Sequence, residues 1–386
     1  MGQPFISICM IVKDEEAYLQ RCLESVEGIY DELIVVDTGS RDRTMEIARN
    51  FGARVKHFEW CDDFAAARNY ACGIARGDWI FMPDGDEYLG PAHVCEKVVE
   101  MLRQAPDHLN KILIEQRTLL GNNDVLTILI DRLFRNRKGL SWKYRIHEVL
   151  ETPGDQTAMT RDFYLNHDNA LHRRDNMQIS GDRERMYLRA LTLDTRDFPS
   201  DPRPAFYLAG TLYGAGRHEE ASVAYQRYFG LSEGKEPERR ALAFRDAAAN
   251  AGKRGDLDQQ RAYLFRSLEH DWRPPEIYVA LADLAQAHEN RDEAIHWLTT
   301  ATSCKPYQSG IGTMGSAYGA ETHEHLAGLY SDAGEAGLAK HYQVQADKLR
   351  NKPGEVHGKS RHRLESSGSK KTGHRKGKKR HSKRKK

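Results

Sequence analysis

Asp84, Asp86 and Glu87 place three carboxylates within four residues, directly after the apolar run Trp79-Ile80-Phe81-Met82. The run reads as a short buried strand. Acids at the carboxyl end of a strand, in an alternating α/β pattern, stand where such sheets bind ligands. The Asp-x-Asp spacing of Asp84 and Asp86 suits a divalent cation that carries a nucleotide diphosphate. An acidic surface turn is the plain alternative, and Pro83 and Gly85 would suit one.

Upstream residues supply elements that could hold such a site. Apolar runs predict strands over 6–12, 32–36 and 54–58. Leu19, Cys22, Leu23 and Val26 fall at helical spacing, predicting a helix over 15–26. Asp42 or a neighbour can cap a helix that buries Met45, Ile47, Ala48 and Phe51. A helix over 64–75 precedes the strand at Trp79. A further helix near 94–102 and strands near 111–116 and 125–134 follow. Strand–helix alternation predicts an α/β domain, a mainly parallel sheet with helices on its faces.

From about Asp201 only helical patterns remain. Small-residue turns recur at Gly216, Gly255, near Asn290 and at Gly334, at intervals of 39, 35 and 44 residues. Each precedes an amphipathic stretch, such as Ala221-Tyr225-Tyr228 or Ala294-Trp297-Leu298. The texture resembles degenerate tetratricopeptide repeats, whose ideal period is about 34 residues. An ordinary helical bundle is the alternative.

The net charge of +2 hides an asymmetry. Residues 351–386 hold 15 Lys or Arg against two Glu, while residues 1–350 carry 43 basic and 54 acidic residues. The tail has almost nothing to bury and reads as a disordered polycation. It lacks interleaved aromatics, so at most non-specific polyanion binding is expected of it. Mean hydropathy is −0.71, and no run of 18 apolar residues exists to span a membrane. The six cysteines show no paired metal spacing, and no signal peptide is evident. The expectation is a cytoplasmic protein with reduced thiols.

Four motifs follow one another in order: Ile6-Ser-Ile-Cys-Met-Ile-Val-Lys-Asp-Glu-Glu16, Leu33-Ile-Val-Val-Asp-Thr-Gly-Ser-Arg-Asp-Arg-Thr44, Asp63-Phe-Ala-Ala-Ala-Arg-Asn69 and Asp84-Gly-Asp-Glu87. Over roughly residues 5–170 the chain resembles a family 2 glycosyltransferase of the GT-A (Rossmann-like) fold. It is similar in particular to the cytoplasmic bacterial subgroup with tetratricopeptide repeats behind the catalytic domain. The expected division is a catalytic domain over 1–175, a helical repeat domain over 176–350 and the tail over 351–386.

The resemblance implies roles for particular residues. Asp37 reads the base of the donor, which is by default a UDP-sugar, with GDP and dTDP open. Glu15 or Glu16 borders the nucleotide, and the other is the acidic first turn of a helix; Asp14 stands where the family has Asn. Arg68 and Asn69 lie near the diphosphate, for which an arginine has the right geometry. Asp86 holds Mn²⁺ or Mg²⁺, with Asp84 near the ribose or a metal-bound water and Glu87 behind. His167 supplies a further ligand or diphosphate contact, although Asn169-Ala170-Leu171 replaces the subgroup's aromatic segment after it. Plain alternatives are an exposed helix arginine for Arg68 and a structural histidine for His167.

The acceptor side falls on the segment Arg135 to Glu148, which matches the subgroup's Arg-x-His-Glu region. Inverting transfer needs a base that deprotonates the acceptor. Glu148 is the leading candidate, with His147 orienting it or contacting the sugar-phosphate, and Asp131 in reserve. A salt-linked structural loop is the alternative. The acceptor would be a protein, peptide or cell-surface glycan, held by the repeats. A competing reading keeps the fold but not the chemistry: an interaction protein with a polyanion-binding tail. Intact Asp37, Asp84 and Asp86 argue against it.

Overall fold

The computed structural model describes residues 5–119, 125–152, 154, 156–167, 180–304 and 319–350. By contacts the chain divides into Met1–Lys352 and Pro353–Lys386. The second unit, with nearly all of the basic tail, lies outside the described residues, as does the expected domain boundary near residue 175.

The first half is a sheet of eight strands in the order β3-β2-β1-β4-β7-β6-β10-β5. Strands β1 (Ile6–Val12), β2 (Glu32–Asp37), β3 (Arg54–His57) and β4 (Trp79–Phe81) are parallel neighbours. Beyond β4 the sheet is mixed. Strand β7 (Val125–Arg135) runs antiparallel to β4 and to β6 (Lys111–Leu119). Strand β10 (Thr157–His167) is parallel to β6 and antiparallel to β5 (Glu87–Gly90). A small ribbon pairs β8 (Ser141–Lys143) with β9 (Val149–Glu151).

Side-chain alternation decides which helix covers which face. Ile6, Ile8, Met10 and Val12 join Leu33 and Val35 in one core with α1 (Leu19–Ser25), α2 (Thr44–Asn50) and α4 (Cys95–Gln104). Cys9, Ile34 and Val36 face the other way, onto α3 (Phe64–Gly73) through Ala65 and Ala71. Asp63 starts α3 as its N-cap, its side chain accepting from Ala66 N–H at 2.8 Å. Alanines on this helix let it approach the sheet and bury Arg68, at 4% exposure.

Helix α5 (Ser180–Asp197) leads into four helix hairpins: α6/α7 (Pro202–Gly214, His218–Leu231), α8/α9 (Pro237–Lys253, Leu257–His270), α10/α11 (Pro275–Ala287, Arg291–Ser303) and α12/α13 (Ala320–Asp332, Ala336–Arg350). The same terminating bond closes all four first helices. Arg217 N–H donates to Leu212 O, Asp256 to Ala251, Asn290 to Ala285 and Glu335 to Tyr330, at 2.8–3.0 Å. This Schellman closure needs a left-handed residue just before the donor. Gly216, Gly255 and Gly334 provide it, and in the third hairpin Glu289 does, with φ +57°. The missing glycine explains why that turn is faint in the sequence. No helix among the described residues is long and apolar enough to cross a membrane.

Candidate active site

Strands β1, β2 and β4 are parallel neighbours, so their carboxyl ends lie along one edge. At the end of β2, Asp37 is buried and accepts from Ser40 N–H at 2.9 Å, closing the turn through Gly39. His57 Nδ1 lies 3.7 Å from its other oxygen.

The segment after β1 is a loop, which corrects the helix expected from residue 15. Asp14 has φ +54°. The backbone N–H groups of Asp14, Glu15 and Glu16 donate to Ser40, Thr44 and Asp42 side chains at 3.0, 2.7 and 3.0 Å. The left-handed Asp14 and these bonds hold residues 14–16 as a loop on the β2 turn; the helix begins at Leu19, and neither glutamate stands in its first turn. Glu15 instead packs against the acidic turn: a Cβ on Gly85 would lie 3.0 Å from Glu15 Cγ.

Asp84 is gripped from both sides. Arg68 Nη2 donates to Oδ1 at 2.9 Å, and Arg132 Nη2 donates to Oδ2. Burial opposes the charge on Asp84, but Arg132 and Arg68 outweigh it and hold the carboxyl below its usual range. Arg68 also donates through Nε to Glu148 Oε1 at 2.7 Å. Its Nη1 is buried with no hydrogen-bond partner among the described residues. Burial works against the guanidinium, yet Asp84 and Glu148 keep its pKa above the ordinary value. Glu87 lies beneath, accepting from Asp84 N–H at 2.8 Å. Burial pushes its carboxyl up despite Arg132 nearby.

Asp86 faces His167. Pairing of β5 with β10 puts His167 opposite Glu87, and His167 Nε2 lies 3.0 Å from Asp86 Oδ2. The hydrogen bond with Asp86 holds the imidazole pKa above its ordinary value. Thr118 Oγ1, 3.2 Å from Nδ1, fixes the ring from behind. Among the described residues no group of three or more His, Cys, Asp or Glu is arranged to hold a metal. The residues after His167 lie outside the described residues.

Residues 143–148 are held against the helices. Arg145 donates to Asp194 from its backbone at 2.9 Å and from Nη1 at 2.6 Å, and reaches Asp197 at 2.8 Å. Tyr144 donates to Asp201, and Arg203 donates to His147 O at 2.9 Å. Tyr144 and His147 have φ +73° and +53°, a region costly for side-chain-bearing residues and kept only by surrounding contacts. The His147 ring stacks on Tyr207 with centroids 3.9 Å apart. Desolvation of the ring outweighs the nearby Glu148 carboxylate and, with Arg203 adding to it, lowers its pKa to about 4. Arg145 is thus the structural part of its motif, while Glu148 points to Arg68.

The structure therefore gathers Arg68, Asp84 and Glu148 in one network, places Glu15 on the acidic turn, and joins Asp86 to His167. Two residues go elsewhere. Asp131 pairs with Lys111 at 3.3 Å. Asn69 spends its amide on the Trp142 backbone, at 2.7 and 2.9 Å, fastening β8 to α3. Arg132 was not foreseen. Its signal was a cation two residues before buried Phe134 in an apolar strand, where a charge requires a partner.

Residues 7–175 match the family described as Glycosyl transferase family 2. Over 267 residues the chain is 36% identical to a TPR repeat-containing protein of Synechococcus elongatus, covering 66% of this chain and 63% of that one. It is 40% identical over 84 residues to an uncharacterized glycosyltransferase of Rickettsia bellii, covering 22% and 28%. It is 35% identical over 85 residues to the glycosyltransferase SunS of Bacillus phage SPbeta, covering 22% and 20%. The chain thus spans less than two thirds of these relatives. Among solved structures it is similar to MamA from Desulfovibrio magneticus, at 15% identity and TM-score 0.36 over 47% of this chain and 94% of that one. It is also similar to BtubC from P. vanneervenii, at 18% identity and TM-score 0.40 over 51% and 84%. Likenesses this low carry no inference. The motifs at the carboxyl edge of the sheet all lie within or beside the stretch, residues 7–175, that matches glycosyl transferase family 2, and the helix hairpins follow behind it, in accord with the likeness to a TPR repeat-containing protein.

Proposed function

We propose that the protein transfers a sugar from a nucleotide-sugar, UDP-linked by preference, to a hydroxyl or other nucleophile of a protein, peptide or glycan acceptor, with inversion at the anomeric carbon. Arg68 is the observation that supports this most directly. One guanidinium binds the donor-side Asp84 and the acceptor-side Glu148, and its third nitrogen is a buried donor without a partner among the described residues. Such a donor suits a phosphate oxygen.

Asp37 and Glu15 border the nucleoside at the carboxyl edge of the sheet. Asp86 and His167 present a carboxylate and an imidazole 3.0 Å apart, a donor pair that fits Mn²⁺ or Mg²⁺ when phosphate oxygens complete the shell. A divalent cation held there would neutralise charge on the departing diphosphate. Asp84 is an unsuitable ligand in this arrangement, because both its oxygens serve arginines. Glu148 takes the acceptor proton as the acceptor bonds to the anomeric carbon and the bond to the nucleoside diphosphate breaks. His147, with its pKa near 4, stays neutral at physiological pH and orients the acceptor side. The repeats carry the remainder of the acceptor. Unpaired buried thiols at Cys9, Cys22 and Cys72 favour a cytoplasmic setting.

A panel of nucleotide-sugars scored for slow donor hydrolysis, with Mn²⁺ and with chelator, tests the reading. One donor should be turned over only with the cation. Absence of nucleotide binding under both conditions would overturn it in favour of an interaction protein.

A further inference from the structure

A cleft of about 330 Å³ opens where the 143–148 loop meets the first hairpins, one residue from Glu148. Tyr187, Phe206, Tyr207 and His147 provide its rings, with Tyr225 and Asp246 also on its lining. Two observations point to a ligand. Tyr225 is 1% exposed, and its hydroxyl is buried without a hydrogen-bond partner among the described residues. Leaving such a group unpaired is costly, so it marks a place where a partner is supplied from outside. Asp246 is the second. Both contacts of its neighbour Arg245 fall on Oδ1, at 3.0 and 3.2 Å. The Asp246 side chain is a third exposed and lies on the cleft lining, so its other oxygen is open to a partner.

The acid also belongs to a row. At the same distance before the closing residues Arg217, Asp256, Asn290 and Glu335 stand Tyr207, Asp246, Ala280 and His325. One turn further along the first helices come Gly210, on the cleft lining, and Asp283, itself exposed. The helix face that begins at the cleft therefore continues past a second carboxylate.

Granting the glycosyltransferase reading, we propose that this cleft is an acceptor subsite that takes a Lys or Arg side chain of an extended polypeptide whose nucleophilic residue lies beside Glu148. Aromatic faces attract a cation, as the chain's own Arg203 and Arg183 show at 5.0 and 5.4 Å from the Tyr207 and Tyr187 centroids, and an adjacent carboxylate fixes it. The Tyr225 hydroxyl accepts one of its N–H groups or donates to a backbone carbonyl. A neutral sugar could stack on the same rings, but only a cation adds a charge opposite the second oxygen of Asp246, the first being taken by Arg245.

Blocked heptapeptides of Gly and Ser with one central Arg, norleucine or Glu, titrated into the full chain without donor and followed by peptide NMR line-broadening, test this. The Arg peptide should bind at least about tenfold more tightly than the other two. Asp246→Asn and Tyr225→Phe should each remove most of that preference. Because the phenol is unpaired, Tyr225→Phe should leave Tm unchanged or higher, which a purely structural tyrosine would not do. UDP with Mn²⁺, titrated into the same variants, reads the donor site separately. Loss of nucleotide binding in the wild-type chain with peptide binding intact would sink the glycosyltransferase reading and keep the cleft. No peptide binding, equal binding of all three, or Tyr225-dependent binding of maltotriose in their place overturns the proposal.

Discussion

Arg68 Nε lies 2.7 Å from Glu148 Oε1, joining a helix behind the sheet to a loop 80 residues further along the chain. The same guanidinium holds Asp84 at 2.9 Å. The acidic turn after β4 and Glu148 are therefore mechanically one unit.

Removing Arg68 would leave two neighbouring carboxylates without their shared cation. Arg68→Ala should lower stability by about 3–5 kcal/mol in urea unfolding. Arg68→Lys should fall between, since an ammonium lacks the fork that serves both acids. An unchanged midpoint for the alanine variant would show that the bridge is not buried in solution.

Glu148→Gln keeps a hydrogen-bond acceptor for Arg68 and removes the proposed base. Transfer should fall by about 10²–10⁴-fold, while UDP affinity by calorimetry stays the same. Full activity would move the base elsewhere, with Asp131 excluded only if Asp131→Asn is also active.

For the Asp86–His167 pair, the prediction concerns the cation. Asp86→Asn and His167→Ala should each weaken Mn²⁺-dependent UDP binding by at least about tenfold. Metal-free nucleotide binding should change little. Equal loss with and without Mn²⁺ would assign the pair to the nucleotide itself.

His147 makes stability depend on pH. Its folded pKa is about 4, below about 6.5 for an unperturbed histidine. Between these values the unfolded chain binds more protons, so stability rises with pH and levels off above about 6.5. Tm measured across this window should be flatter for His147→Gln than for the wild type. Parallel curves would contradict the crowded setting on Tyr207.

Gly77→Ala tests how tightly β4 is seated. The added Cβ would meet Ser7 N at 2.6 Å and Trp79 O at 2.8 Å, both backbone atoms that cannot swing away. A loss of about 1–3 kcal/mol is expected. Activity should fall with it, since β4 carries the turn that presents Asp84 and Asp86.

Much of this was legible from local pattern. Alternating apolar runs and helical spacing mark β1, β2, β4 and α3, because burial on both faces of a parallel sheet demands continuous apolar strands. Asp37, Asp84 and Asp86 announce themselves by following such runs. Helix α1 is shorter than the apolar spacing predicts, because a left-handed Asp14 and side chains of the β2 turn hold residues 14–16 as a loop. No local pattern in residues 14–26 could show that. The third hairpin turn was faint because Glu289 does what glycine does in the other three.

By itself the sequence determined the α/β and helical halves, the acidic turn after Trp79 and the order of the motifs, since each rests on periodicity or spacing within a few residues. Only the tertiary structure decided how the acids divide their work. Asp84 went to two arginines, one of them unforeseen, and Asp86 went to a histidine 81 residues away. Strand pairing between β5 and β10 and the approach of α3 to the sheet made those partners neighbours, and desolvation there forced every buried charge to find one.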